Sequence, residues 1–212
     1  MHDWAVGVAT MNKEFYIVLK ERRSVRRYQK KRVSKGLIHR LIRAGTWAPS
    51  AHNEQPWRFV VIQSATTKRL LAETMATAFR RDLERDGRLS AEVETRIASS
   101  VERFGSAPLL LLACLTIKSL DVYPDGVRQQ AEYVMGVQSV AATIQNILLA
   151  AHAEGLGSCW HCAPLFCPTE VRGVLGLPDE FQPQALITIG VAAESPTPPP
   201  RHPPGQVTLY RD

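Results

Sequence analysis

Apolar residues fall at helical spacing over the first fifty positions of the chain. Glu14 to Arg22 predicts a short helix with Phe15, Val18 and Leu19 on one side. Ser34 is a candidate N-cap, followed by Leu37, Ile38, Leu41 and Ile42, and that helix must stop before Pro49. Trp57 to Gln63 then reads as a strand rich in Val, Ile and aromatics. Thr66 to Arg85 and Ser90 to Phe104 form a helical pair joined by a turn at Asp86-Gly87. Ala107 to Ile117 is continuously apolar and bounded by turns, as expected of a strand buried on both faces. Glu132 to Ala153 predicts a long helix with Val134, Val137, Ala141, Ile144, Leu148 and Ala151 at core-like intervals. At 1.5 Å per residue it would extend roughly 33 Å. A helix so apolar on most sides must be buried all round, which points to a subunit interface. Leu156 to Trp160, a short helix from Pro168 to Leu175 and a last strand from Gln184 to Val191 complete the pattern.

Few strands separated by many helices imply an α+β class with a central sheet. The 212 residues, 45% of them hydrophobic, suffice for one domain with a real core. That domain carries a helical excursion at about 66–105 and a Pro-rich arm at about 194–212. The start, Met1-His2-Asp3-Trp4, lacks a signal-peptide pattern, and the Ala107–Leu115 run is too short to span a bilayer, so a cytoplasmic location is expected. Cys114, Cys159, Cys162 and Cys167 then read as reduced thiols.

Charge changes this picture locally. Eleven Lys and Arg lie between Lys20 and Arg43 against the single acid Glu21, leaving 15 basic and 19 acidic residues elsewhere. A cationic cluster on a mildly acidic body suggests an anionic ligand more than a nucleic acid. Within the cluster, Arg22-Arg23-Ser24-Val25-Arg26 suits a phosphate, because guanidinium donors are forked and always charged and Ser adds a neutral donor. A second constellation is Pro49-Ser50-Ala51-His52-Asn53-Glu54-Gln55-Pro56-Trp57, a proline-bracketed loop that can present amides to a flat heteroaromatic edge. Each alone also reads as an ordinary basic face or an ordered polar turn.

Together with Gly155-Leu-Gly-Ser-Cys-Trp160 and Gln184-Ala-Leu-Ile-Thr-Ile-Gly190, these motifs resemble the FMN-dependent nitroreductase superfamily from about Phe15 to Ala193. Within it, Arg81-Asp-Leu-Glu-Arg-Asp-Gly87, Tyr123-Pro-Asp-Gly126 and Cys159 to Cys167 look like the FMN reductase domain of the bifunctional coenzyme F-420 biosynthesis protein, here standing alone. The resemblance implies a mostly antiparallel sheet and a homodimer with the long helix at its interface. It implies FMN held by Arg22, Arg23, Ser24, Val25 and Arg26, with Ser50 and Asn53 at the ring edge. Gly157 and Ser158 would approach the ring from the other subunit, and Arg201 would close the phosphate site. Asp82 would contact a deazaflavin substrate. Hydride would pass by a ping-pong route from NAD(P)H or a reduced deazaflavin to a deazaflavin precursor, or to a nitro or quinone compound. The flavin does the chemistry, so no protein nucleophile is required.

Other readings are weaker. Cys159-x-x-Cys162 has no second pair at finger spacing, so no metal is expected, and Pro164 suits a redox dithiol poorly. Gly155-Leu-Gly157 follows a helix and lacks a third glycine, which excludes a dinucleotide fingerprint. A polyanion-binding module or a flavin store are the rival classes. No membrane or nucleic-acid partner is expected.

Overall fold

Short polar caps set where the helices begin in the computed structural model, which describes residues 13–88 and 90–211. Met1 to Trp4, read above for targeting signals, lies outside these. The first described helix, α1 (Lys13–Glu21), has no buried residue. Ser34 accepts a hydrogen bond from the Leu37 amide at 3.3 Å and opens α2 (Lys35–Thr46). Ser64 and Ser90 do the same for α3 (Ala65–Arg85) and α4 (Ala91–Ser106). Asp125 caps α5 (Gly126–Ala153) through the Arg128 amide at 2.9 Å. Each such cap is worth about 1 kcal/mol to its helix. Helix α6 (Pro168–Leu175) starts on a proline and ends at Gly176, whose φ of 60° favours glycine. A single turn, α7 (Pro204–Val207), lies in the C-terminal arm.

Four strands form one sheet: β1 (Trp57–Ile62), β2 (Leu109–Thr116), β3 (Gly157–His161) and β4 (Phe181–Gly190). Their order is β1-β2-β4-β3 and every neighbouring pair is antiparallel, as the resemblance implied. Every residue of β2 is buried. Because strand side chains alternate between faces, Leu109, Leu111, Ala113 and Leu115 meet Ile144, Ile147 and Leu148 of α5. Leu110, Leu112 and Cys114 meet Leu71 and Met75 of α3 and Phe104 of α4. The excursion between β1 and β2 is therefore the second layer of the core. Helix α2 closes onto α5 at Gly45, where a Cβ would come within 2.8 Å of Thr143 and Ile147.

Three expectations change. Helix α5 starts six residues before Glu132, because Asp125 caps it where Asp-Gly reads locally as a turn. Strand β4 starts at Phe181, ahead of the expected Gln184. It runs through Pro183, opposite a register shift between Ala113 and Cys114, where the ladder can do without the proline's missing donor. Helix α5 is also not buried all round within one chain, since Val127 and Val134 stay exposed. It is the one described helix long and apolar enough to cross a membrane, yet its inner face packs the sheet.

Leu111→Ala should lower unfolding stability by about 2–5 kcal/mol, the cost of a cavity in a layer that cannot collapse. Val122, 90% exposed, is the matched control: Val122→Ala should stay within roughly 0.5 kcal/mol of the parent in urea denaturation.

Candidate functional site

The Arg22–Gln29 segment leaves α1 and lies along the ends of β3 and β4. The Val25 amide donates to the Ser158 carbonyl at 3.0 Å, Ser24 forms a parallel bridge with Ser158, and the Gln29 amide donates to Val191 at 2.9 Å. Gly157 permits this approach, because a Cβ there would sit 2.7 Å from Val25. This pairing sets Gly157 and Ser158 beside the Arg22–Arg26 motif of their own chain.

A cleft of about 410 Å³ opens at this junction, lined by Arg22, Arg23, Val25, Gly157, Ser158 and residues of the Pro-rich arm. Glu21 and Glu194 share this lining, and Glu194 is engaged by Arg26 and Arg27. Arg23 donates to the Lys20 and Arg22 carbonyls at 2.6 and 2.7 Å. No ion pair involves Arg22, Arg23 or Arg201 among the described residues. Burial lowers the pKa of Arg22, and the positive charges of Arg23 and Arg201 lower it further. The Ser158 hydroxyl is buried with no hydrogen-bond partner among the described residues. Gathered cations and an unpaired hydroxyl make a cleft suited to an anion with oxygen acceptors, such as a phosphate.

Glu194 fastens the arm. Its carboxylate accepts from the Arg26 and Arg27 amides at 2.6 and 3.2 Å. On its other side a second cleft, of about 730 Å³, is lined by Arg26, Tyr28 and Arg103 among others. Behind it runs a chain of polar groups, of which Thr188 and His161 fall within the sequence motifs and Tyr28 within none. The Tyr28 hydroxyl contacts the Val25 carbonyl and lies 2.8 Å from the Thr188 hydroxyl, which lies 3.2 Å from Nε2 of His161. Nothing local marks a Tyr and a Thr 160 residues apart as neighbours. The His161 ring also meets Phe104 edge-on, with centroids 5.0 Å apart. Phe104 in turn lines an apolar cavity of about 210 Å³ with Met75, Phe79 and Phe166.

The Ser50–Gln55 loop is elsewhere. It packs on α5, where the Ala51 amide donates to Ser139 at 3.2 Å, and it lines neither cleft. His52, Asn53 and Gln55 adopt φ of 51°, 59° and 49°, left-handed backbone uncommon outside glycine. Asn53 is exposed and Ser50 half-buried. Asp82 lies apart from both clefts too, with Arg81 and Arg85 at 3.5 and 3.6 Å.

Three of the four thiols are buried and Cys162 is exposed. Burial pushes Cys114 up to about 12 and Cys167 to about 11. It raises Cys159 as well, against the opposing charge of Arg26. None of these three is a poised nucleophile.

Burial, and then the Arg103 and Arg26 charges, lower the His161 pKa from 6.5 to about 4. A base with a depressed folded pKa binds fewer protons folded than unfolded. Its contribution is therefore intact above pH 6.5, falls as pH drops towards about 4, and is level below that. His161→Gln should flatten that limb of the stability curve, read from melting temperatures of both proteins across the window. Parallel curves would mean that the ring titrates normally.

Comparison with known proteins agrees with this arrangement. The model of the nitroreductase family matches residues 19–191. An NADH dehydrogenase of Thermus thermophilus is 32% identical, over 90% of this chain and 93% of its own. A nitroreductase-type protein from Desulfovibrio desulfuricans, solved in complex with FMN, is 25% identical with a TM-score of 0.72, covering 95% of this chain and 99% of its own. A BluB-like flavoprotein from Clostridium difficile 630 is also 25% identical, with a TM-score of 0.76 and coverage of 95% and 100%. With most of its length matched and its fold shared, the chain belongs to the nitroreductase family.

Proposed function

We propose that this chain is an FMN-dependent oxidoreductase that takes hydride from NAD(P)H and passes it to a small electron-poor acceptor. The observation that carries the reading is one cleft lined by Arg22 and Arg23, with the Arg201 charge felt at Arg22. None of the three guanidinium groups forms an ion pair among the described residues, even though Glu21 and Glu194 also line the cleft. Bound FMN would supply reversible hydride chemistry. Arg22, Arg23 and Ser158 hold an anionic oxygen group, and Arg201 adds charge from the arm. Val25 and Gly157 form the cleft floor, where the missing Cβ keeps the two backbones together. Arg26 and Arg103 place positive charge along the second cleft, which favours electron-rich forms of a ring lying there. The apolar cavity beside Phe104 suits a flat aromatic acceptor.

The same reading includes a homodimer. Helix α1 exposes Phe15, Tyr16, Ile17 and Leu19, and α5 exposes Val127 and Val134. Surfaces of this kind favour association. The Ser50–Asn53 loop lines neither cleft of its own chain, so its contact with a flavin edge would come from a second copy. A monomer in light scattering would remove that contact from the scheme.

A finer reading, reduction of a deazaflavin precursor of coenzyme F-420, rests on the 81–87, 123–126 and 159–167 segments. The relatives' names favour the general reductase, because they point to NADH as donor. NADH oxidation with a nitroaromatic acceptor, compared with turnover of the deazaflavin precursor, separates the two.

The decisive experiment is the visible spectrum of the purified protein with chromatographic identification of the released flavin. Yellow protein with near-stoichiometric FMN is the expected outcome. Colourless protein that does not take up added FMN would overturn the proposal. Arg22→Ala should then weaken FMN binding by about 1.5–3 kcal/mol in fluorescence titration, the loss of a charged hydrogen bond. Unchanged affinity would remove Arg22 from the phosphate site.

A further inference from the structure

Glu132 is a carboxylate in the wrong solvent. It sits near the start of α5 with 1% of its surface exposed. One oxygen accepts from the Asp121 amide at 3.3 Å, and the other, Oε2, has no hydrogen-bond partner among the described residues. No Lys or Arg pairs with it among those residues. A buried carboxylate left this way is strongly destabilising unless a cation, a proton or a water satisfies it.

Its neighbours identify which. His52 from the left-handed loop and Asp121 from the segment after β2 bring ligand atoms so close that all three groups lie within 4.8 Å of one another. We propose that His52, Asp121 and Glu132 form a binding site for a divalent first-row transition ion such as Zn²⁺. The donor set is one imidazole nitrogen and two carboxylate oxygens. Imidazole disfavours Mg²⁺ and Ca²⁺, and the lack of sulfur disfavours Cu(I). Two carboxylates with a neutral imidazole carry the charge that balances a divalent ion.

The geometry allows entry. Metal–ligand bonds of about 2.0–2.2 Å require the donors to close in from their present spacing. His52 and Asp121 are exposed, whereas Glu132 is buried. The remaining positions of the ion would face water. Such an ion ties together the Ser50–Gln55 loop, the segment after β2 and the first turns of α5. It would also help hold the left-handed backbone at His52, which is uncommon outside glycine. Its ligands line neither cleft of their own chain, so the ion is read by metal titration and not by flavin content, although the loop carrying His52 is the one the flavin reading offers to a second copy.

The test is calorimetric titration of the purified, chelator-treated protein with Zn²⁺, alongside the variants Glu132→Gln, Asp121→Asn, His52→Ala and Cys162→Ser. The expected result is one Zn²⁺ per chain for the parent and for Cys162→Ser. The other three should lose at least about a hundredfold in affinity, the upper end of what removing a mere supporting residue costs. Asp121→Asn and His52→Ala alter exposed positions, so they report even if Glu132→Gln folds poorly. Absence of Zn²⁺ binding in the parent would overturn the proposal and leave Glu132 to a proton or a water. Binding that survives His52→Ala and Asp121→Asn, or that is lost in Cys162→Ser, would place the ion elsewhere and overturn it equally.

Discussion

Strand β2 has no face turned to water, so eight consecutive residues must find apolar cover on both sides. That requirement organises the rest of the molecule. One side is met by α5, with α2 pressed onto it at Gly45. The other side is met by the excursion α3–α4 together with α6. At roughly 25 cal/mol per Å² of apolar surface removed from water, this three-layer stack is the main favourable term in folding. The clefts arise where the stack runs out, at the ends of β3 and β4, and there a charged segment takes the place of a helix. The candidate site is thus built against a rigid sheet edge, which keeps Val25, Gly157 and Ser158 in fixed register.

The cation cluster has a cost that the fold accepts. Holding Arg22 partly buried beside Arg23 and Arg201 opposes folding through repulsion and lost hydration, as its lowered pKa records. Nothing in the described interior needs those charges. Features that work against stability and persist are the ones to associate with a ligand. The same reasoning applies to Glu132, where the opposing term is a bare carboxylate in place of crowded guanidinium groups.

Much of this was legible in the sequence because the governing signals are local. Periodicity located the helices, the Ser34 cap marked the start of α2, and the continuous run at 107–117 announced a strand without a wet face. The Arg22–Arg26 motif and the Gly157-Ser158 pair were visible as residue types, although their meeting within one chain depends on a bridge between distant segments. What stayed hidden is long-range. Asp125 looks like a turn residue until Arg128 is seen to donate to it. The Tyr28–Thr188–His161 chain joins three elements, and the His52–Asp121–Glu132 cluster joins three others. No spacing rule reaches across such separations, because the sheet order, not the sequence, sets who meets whom.

The uneven burial of the four thiols makes Cys162 a chemically addressable position. Alkylating reagents attack thiolates, and the other three sulfurs are both shielded and held protonated at neutral pH. A maleimide dye would therefore settle on one residue, next to His161 at the end of β3. If flavin occupies the clefts as proposed, its absorption would quench a dye held on this one small domain, giving an optical gauge of occupancy without any engineered cysteine.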